Sequence, residues 1–109
     1  MKRKRLKKLL ISYARDQIRP TYYAKIRMRE NGICEEDVKD ALLNLDSLLR
    51  FEEEESLKPN KTKYKAWFAV SANRELWVII EANEELLIKN ARYVLKKLQR
   101  GWSKWFKQK

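Results

Sequence analysis

The sequence of 109 residues contains no histidine, a single cysteine, two glycines and two prolines. Without histidine, and with Cys34 alone, the chain can assemble neither a tetrahedral zinc site nor an internal disulfide. The same absences remove the Ser–His–Asp and Cys–His nucleophile systems and the usual near-neutral general base. Any catalysis must use Glu, Asp, Lys, Arg or Tyr, and no metal or other cofactor is expected. No stretch approaches the roughly 20 apolar residues that a membrane-spanning helix needs. The opening MKRKRLKKLLISYARDQ has the charged start of a signal peptide, but its apolar part is only Leu9 to Ile11 and no small-residue cleavage site follows. The expectation is a cytoplasmic protein.

Scarce glycine and proline, with apolar residues at 44%, argue for a folded chain. The length suits one hydrophobic core and not two. We expect one domain over 1–109, with residues 1–8 as a basic arm and 96–109 as a basic aromatic tail. Heavy use of Lys, Glu and Arg, with only three glutamines, is the composition of a heat-adapted protein.

What the sequence does have is charge. Lys and Arg number 26 against 15 Asp and Glu, a net +11, and such a surplus attracts polyanions over long range. RNA leads as the expected partner, and an anionic membrane surface follows as the less favoured one. The surplus is uneven: residues 1–29 hold 11 basic and 1 acidic side chains, residues 30–57 hold 2 and 10, and residues 58–109 hold 13 and 4. The acidic middle can therefore neutralise part of the basic ends within the fold.

Leu6, Leu9, Leu10, Tyr13 and Ile18 recur near helical spacing and predict an amphipathic helix ending near Pro20. Thr21 is placed to cap a second helix, which Gly32 and Ile33 terminate. Val38, Ala41, Leu42 and Leu45 define a third, with Glu35, Glu36 and Asp37 in its first turn, where they favour the helix dipole, and Cys34 at the cap. LLRFEEEE reads as an edge strand or a frayed helix end. KYKAWFAV, ELWVIIEA and ELLIKNARYV then read as strands joined by turns at SANR and ANEE, the second of them central because it is apolar on both faces. From Val94 onward, Leu95, Leu98, Trp102, Trp105 and Phe106 suggest a last amphipathic helix. The expected fold is α+β, with N-terminal helices packed on an antiparallel meander of three to four strands and a C-terminal helix.

The stretch YYAKIRMRENGICEEDVKDALLN, with AWFAVSANRELWVIIEAN and LLIKNARYV after a spacer, resembles the DUF4258 family of the RelE/ParE-like toxin superfamily over roughly residues 20–95. Tyr23-Ala24 correspond to the family's His-Ala pair, Arg27 or Arg29 to an arginine a turn later, and Gly32-Ile33-Cys34 to a Gly-Ile-Ser helix start. The resemblance implies a RelE-like architecture, an RNA-facing sheet, metal-independent cleavage of RNA as in many superfamily members, and an antitoxin protein as a partner. Such cleavage needs a group to withdraw the 2′-hydroxyl proton, cations for the phosphorane charge and an acid for the leaving oxygen.

Each candidate residue also has a purely structural explanation. Arg27 and Arg29, beside Tyr22 and Tyr23, can set guanidinium groups against phosphate and a ring beneath a base; equally, the tyrosines can fill the core and the arginines pair with the acidic middle. Lys63, Lys65 and Trp67 share a strand face, with Lys89 near them on a neighbouring strand, as single-stranded RNA binding uses; a solvated sheet face accounts for the same pattern. Arg92 interrupts an apolar strand and is the candidate phosphate ligand, or else an ion-pair partner of Glu81. Glu81, ending the most apolar strand, is the candidate general base, or a strand-end carboxylate without function. Glu81, Arg92 and Tyr23 form the candidate catalytic set. The tail can dock on its own sheet, stack on RNA or lie on a membrane.

Overall fold

The computed structural model describes residues 2–54 and 62–95. Its first helix, α1 (Lys2–Ile11), forms where Leu6 and Leu10 repeat at i, i+4, and both are buried. Residues 2–8 of the expected basic arm lie within this helix. α1 stops well short of Pro20. The Ser12 amide reaches back to the Lys8 and Leu9 carbonyls, and the Ser12 hydroxyl donates to Leu9 O at 2.5 Å, a local bond that competes with continuing the helix. A 3-10 turn (Arg15–Gln17) follows, and then β1 (Ile18–Pro20).

α2 (Tyr22–Glu30) begins as the sequence predicts, with the Thr21 side chain accepting from the Ala24 amide at 3.1 Å. Its end is a Schellman turn. The Ile33 amide donates to Met28 O at 2.8 Å and the Gly32 amide to Arg29 O at 3.2 Å, while Gly32 takes φ +69°, where a side chain would be strained. Ile33, buried, supplies the accompanying apolar contact. α3 (Glu35–Leu43) buries Val38 and Leu42, and Cys34 caps it without a side-chain hydrogen bond. Arg15 ties the 3-10 turn to this helix through Glu36 at 2.5 Å and Asp40 at 2.8 Å; the Arg15 hydrogen bond holds the Glu36 carboxyl below the usual carboxylate range.

Strands β2 (Leu48–Glu54), β3 (Thr62–Ala69), β4 (Arg74–Ala82) and β5 (Leu86–Leu95) pair antiparallel in sequence order. β1 adds to the free edge of β5 in parallel, matching Ile18 to Leu86 and Pro20 to Ile88, so the sheet order is β1-β5-β4-β3-β2. The expected fold, an antiparallel meander of three to four strands closed by a C-terminal helix, is corrected by this: the sheet is mixed and five-stranded. The physical reason is that β5 would otherwise present an unpaired edge, which β1 and the Thr21 amide, donating to Ile88 O at 3.0 Å, satisfy. Pro20 costs nothing there because the strand is outermost. Val94 and Leu95, expected to start the last helix, instead end β5, paired with Glu75 and Arg74. The rest of that expected helix, in residues 96–109, lies outside the described residues.

Register divides the sheet into two faces. Leu48, Tyr64, Ala66, Phe68, Leu76, Val78, Ile80, Leu86, Ile88 and Ala91 join Leu6, Leu10, Ala24, Met28, Val38 and Leu42 in one core, so the three helices cover one face. Among the described residues no helix is long and apolar enough to cross a membrane.

Candidate nucleic-acid interface

The opposite face follows from the alternation of the strands. On β3 it carries Lys63, Lys65 and Trp67; on β4, Glu75, Trp77, Ile79 and Glu81; on β5, Leu87 and Arg92; on β2, Arg50, Glu52 and Glu54. One row crosses four strands without interruption: Arg50 opposite Trp67, Trp67 opposite Trp77, and Trp77 opposite Arg92. Each arginine sits over its neighbouring indole, with the guanidinium carbon 4.7 Å from the ring centroid at both ends. This row is a strip of two rings and two planar cations, both indoles half-buried and both arginines exposed.

The next rows mix charges. Lys65 stands opposite Ile79 and Glu52, and its ammonium meets Glu54 at 2.9 Å, which raises its pKa. Lys63 lies opposite Glu81 and Glu54, 3.9 Å from the latter carboxylate. Glu81 is buried in this row. Arg50, besides its stacking, donates to the buried Glu75 carboxylate at 3.1 Å. By register the face therefore holds Arg19, Arg50, Lys63, Lys65 and Arg92 against Glu52, Glu54, Glu75 and Glu81, close to electrical balance.

Of the residues singled out from the sequence, Lys63, Lys65, Trp67, Glu81 and Arg92 come together on this face. Arg92 stands opposite Trp77 and Glu81 opposite Leu87, so the cross-sheet ion pair that would have explained Arg92 structurally does not fit the register. Lys89 falls at a β-bulge, where pairing steps from Ile79–Asn90 to Ile80–Ile88 and leaves it without a facing residue. Tyr23, Arg27 and Arg29 are elsewhere. They lie on α2, whose Ala24 and Met28 enter the helix-covered core. Tyr22 and Tyr23 are strongly exposed rather than core-filling, and Arg27 pairs with Glu30 at 3.5 Å within its own helix. The candidate catalytic set of Glu81, Arg92 and Tyr23 is thus spread over both sides of the sheet.

Two participants carried no usable signal in the sequence. Trp77 lies within an apolar run that reads as fully buried, and Arg50 lies in an acidic segment; only the register puts them in line with Trp67 and Arg92. Among the described residues no group of three acidic or cysteine side chains is arranged to hold a metal ion. Comparison of the chain with family models, curated proteins and solved structures finds no match.

Proposed function

We propose that the protein binds single-stranded RNA on the helix-free face of its sheet. The observation that carries this reading is the Arg50–Trp67–Trp77–Arg92 row, a sequence-tolerant stacking surface that ends in cations at both sides. Bases stack on aromatic rings and on guanidinium planes alike, and the terminal arginines can meet phosphates at either end. The net charge of +11 favours a polyanion, and the resemblance to the RelE/ParE-like superfamily favours RNA among polyanions. The reading is binding rather than cleavage, because a proton acceptor, a phosphate cation and a proton donor must meet around one phosphate, and Glu81, Arg92 and Tyr23 do not.

The test is the affinity of the full chain for a short unstructured RNA, by fluorescence anisotropy, for wild type and for Trp67→Ala and Trp77→Ala. Each loss should weaken binding by roughly 5- to 150-fold, the range of one base–aromatic stack, and the RNA should be recovered intact without added metal. Unchanged affinity in both variants would refute the platform. Cut ends that disappear in Glu81→Gln would replace binding by catalysis.

A further inference from the structure

A second concave feature lies on the helix-covered side, at the end of the sheet where β2, β3 and the β4–β5 turn approach α1. It is a cleft of about 600 Å³ lined in part by Arg5, Lys8, Tyr13, Glu53, Tyr64 and Asn83. α1 builds one wall: with Leu6 and Leu10 committed to the core, Arg5 and Lys8 are carried along its exposed flank. Tyr13 fixes the geometry of that wall, its hydroxyl donating to Asn83 O at 2.5 Å across 70 residues of chain.

Tyr64 closes the floor. Its residue is 6% exposed, yet its hydroxyl has no hydrogen-bond partner among the described residues. No fully enclosed side-chain polar atom there lacks a partner, so the hydroxyl opens into the cleft. Burial first, and then the charge of Glu53, push the Tyr64 phenol up against the opposing pull of Arg5. The phenol is therefore a hydrogen-bond donor at neutral pH, within electrostatic reach of both a carboxylate and a guanidinium. Neither Arg5 nor Lys8 has an ion-pair partner among the described residues.

Two cations on the α1 wall, without ion-pair partners among the described residues, face a phenol donor on the sheet wall whose cross-strand neighbour is the Glu53 carboxylate. This arrangement matches a ligand with an anionic group lying between α1 and Tyr64 and hydroxyl donors reaching Glu53. The volume falls within the range of small-molecule sites and far exceeds a bare phosphate. We infer that this cleft binds a phosphorylated sugar: Arg5, Lys8 and the Tyr64 hydroxyl hold the phosphate, and Glu53 accepts from the sugar hydroxyls. The site shares no residue with the tryptophan row, so either can fail while the other stands.

Isothermal titration of the full chain with adenosine monophosphate, ribose phosphate, adenosine and inorganic phosphate tests it. Both phosphorylated sugars should bind, with tighter binding of the nucleotide identifying a mononucleotide as the ligand and equal binding identifying the sugar phosphate alone. Arg5→Ala, Lys8→Ala and Tyr64→Phe should each weaken binding about tenfold or more, the scale of a lost hydrogen bond to a charged group. Because Arg5 and Lys8 are exposed, their variants should unfold at the wild-type temperature. Trp67→Ala should leave this binding unchanged. Absence of heat with every phosphate ligand, equal binding of inorganic phosphate, or binding that survives Arg5→Ala together with Lys8→Ala would overturn the assignment.

Discussion

Arg50 is the residue on which stability and the sheet face depend together, and replacing it by alanine gives a calculable result. Its guanidinium donates to Glu75, a carboxylate whose side chain is only 5% exposed, and lies over Trp67 at 4.7 Å. Removing it strands a buried charge. A lost hydrogen bond to a charged group costs about 1.5–3 kcal/mol, and the lower end applies because the Arg50 side chain is itself 54% exposed, so water can take its place in part. The exposed cation–π contact adds about 0.5–1 kcal/mol. Arg50→Ala should therefore destabilise by about 2 kcal/mol, a drop of about 10 °C in melting temperature for a domain of this size. Arg50→Lys keeps the charge and loses the planar stack, so it should cost about half as much. Glu75→Gln removes the charge that needs a partner, so in its background Arg50→Ala should cost about 1 kcal/mol less than in wild type. Urea titrations of the four proteins close this cycle. Additivity within about 0.3–0.5 kcal/mol would show that Arg50 and Glu75 do not depend on each other and refute the reasoning.

Three further outcomes follow from the local geometry. Gly32→Ala places a Cβ in open space, with nothing within 4 Å, so its cost is the left-handed backbone alone, about 1 kcal/mol by thermal unfolding; Gly32→Asn should cost less. Thr21→Ala removes the acceptor of the Ala24 amide and should cost about 1 kcal/mol, recovered largely by Thr21→Ser. Tyr13 and Tyr64 are both raised, chiefly by burial; their protonated forms are favoured by the fold, so the associated stability is present below the ordinary phenol pKa of about 10 and is lost as pH rises through the folded values. Melting temperature should fall above about pH 10, and less steeply in Tyr64→Phe; a fall confined to lower pH would contradict the assignment.

Local chemistry made part of this molecule legible. Thr21, Gly32 and Ile33 act within a few residues of chain, and their cap and Schellman roles can be read from residue type alone. The period of Val38 and Leu42, and the alternation of Tyr64, Ala66 and Phe68, likewise reflect one buried face each. β1 escaped because three residues ending in proline carry no period of two, and its partner, β5, lies nearly 70 positions away. Val94 and Leu95 fit a helical spacing in isolation; what makes them strand is the facing edge of β4 at Glu75 and Arg74. The candidate interface was half legible for the same reason. Alternation alone puts Lys63, Lys65 and Trp67 on one face, whereas the alignment of Arg50, Trp77 and Arg92 with Trp67 exists only once the register is set. Tyr23, Arg27 and Arg29 enter the candidate set through a family resemblance and a local aromatic, basic pattern, neither of which says which side of the sheet α2 covers, and Ala24 and Met28 anchor that helix to the other side.

The net charge that first pointed to a polyanion does not reside where the tryptophans are. Lys63 and Lys65 lean on Glu54, Arg50 on Glu75, and Arg19 on Glu85, so the helix-free face presents stacking surface with little surplus charge. α1 is the reverse: Lys4, Arg5, Lys7 and Lys8 have no ion-pair partner among the described residues, and the helix contains no acidic residue to offset them. Counterion release grows with the number of phosphates that cations neutralise, whereas stacking is insensitive to salt. A strand of RNA held on the tryptophan row would owe its affinity there mainly to stacking, and among the described residues the salt-dependent part would come mainly from phosphates reaching α1. The two contributions lie on opposite sides of one sheet, so substitutions in α1 should flatten the salt dependence and substitutions at Trp67 or Trp77 should lower affinity by the same factor at every salt concentration.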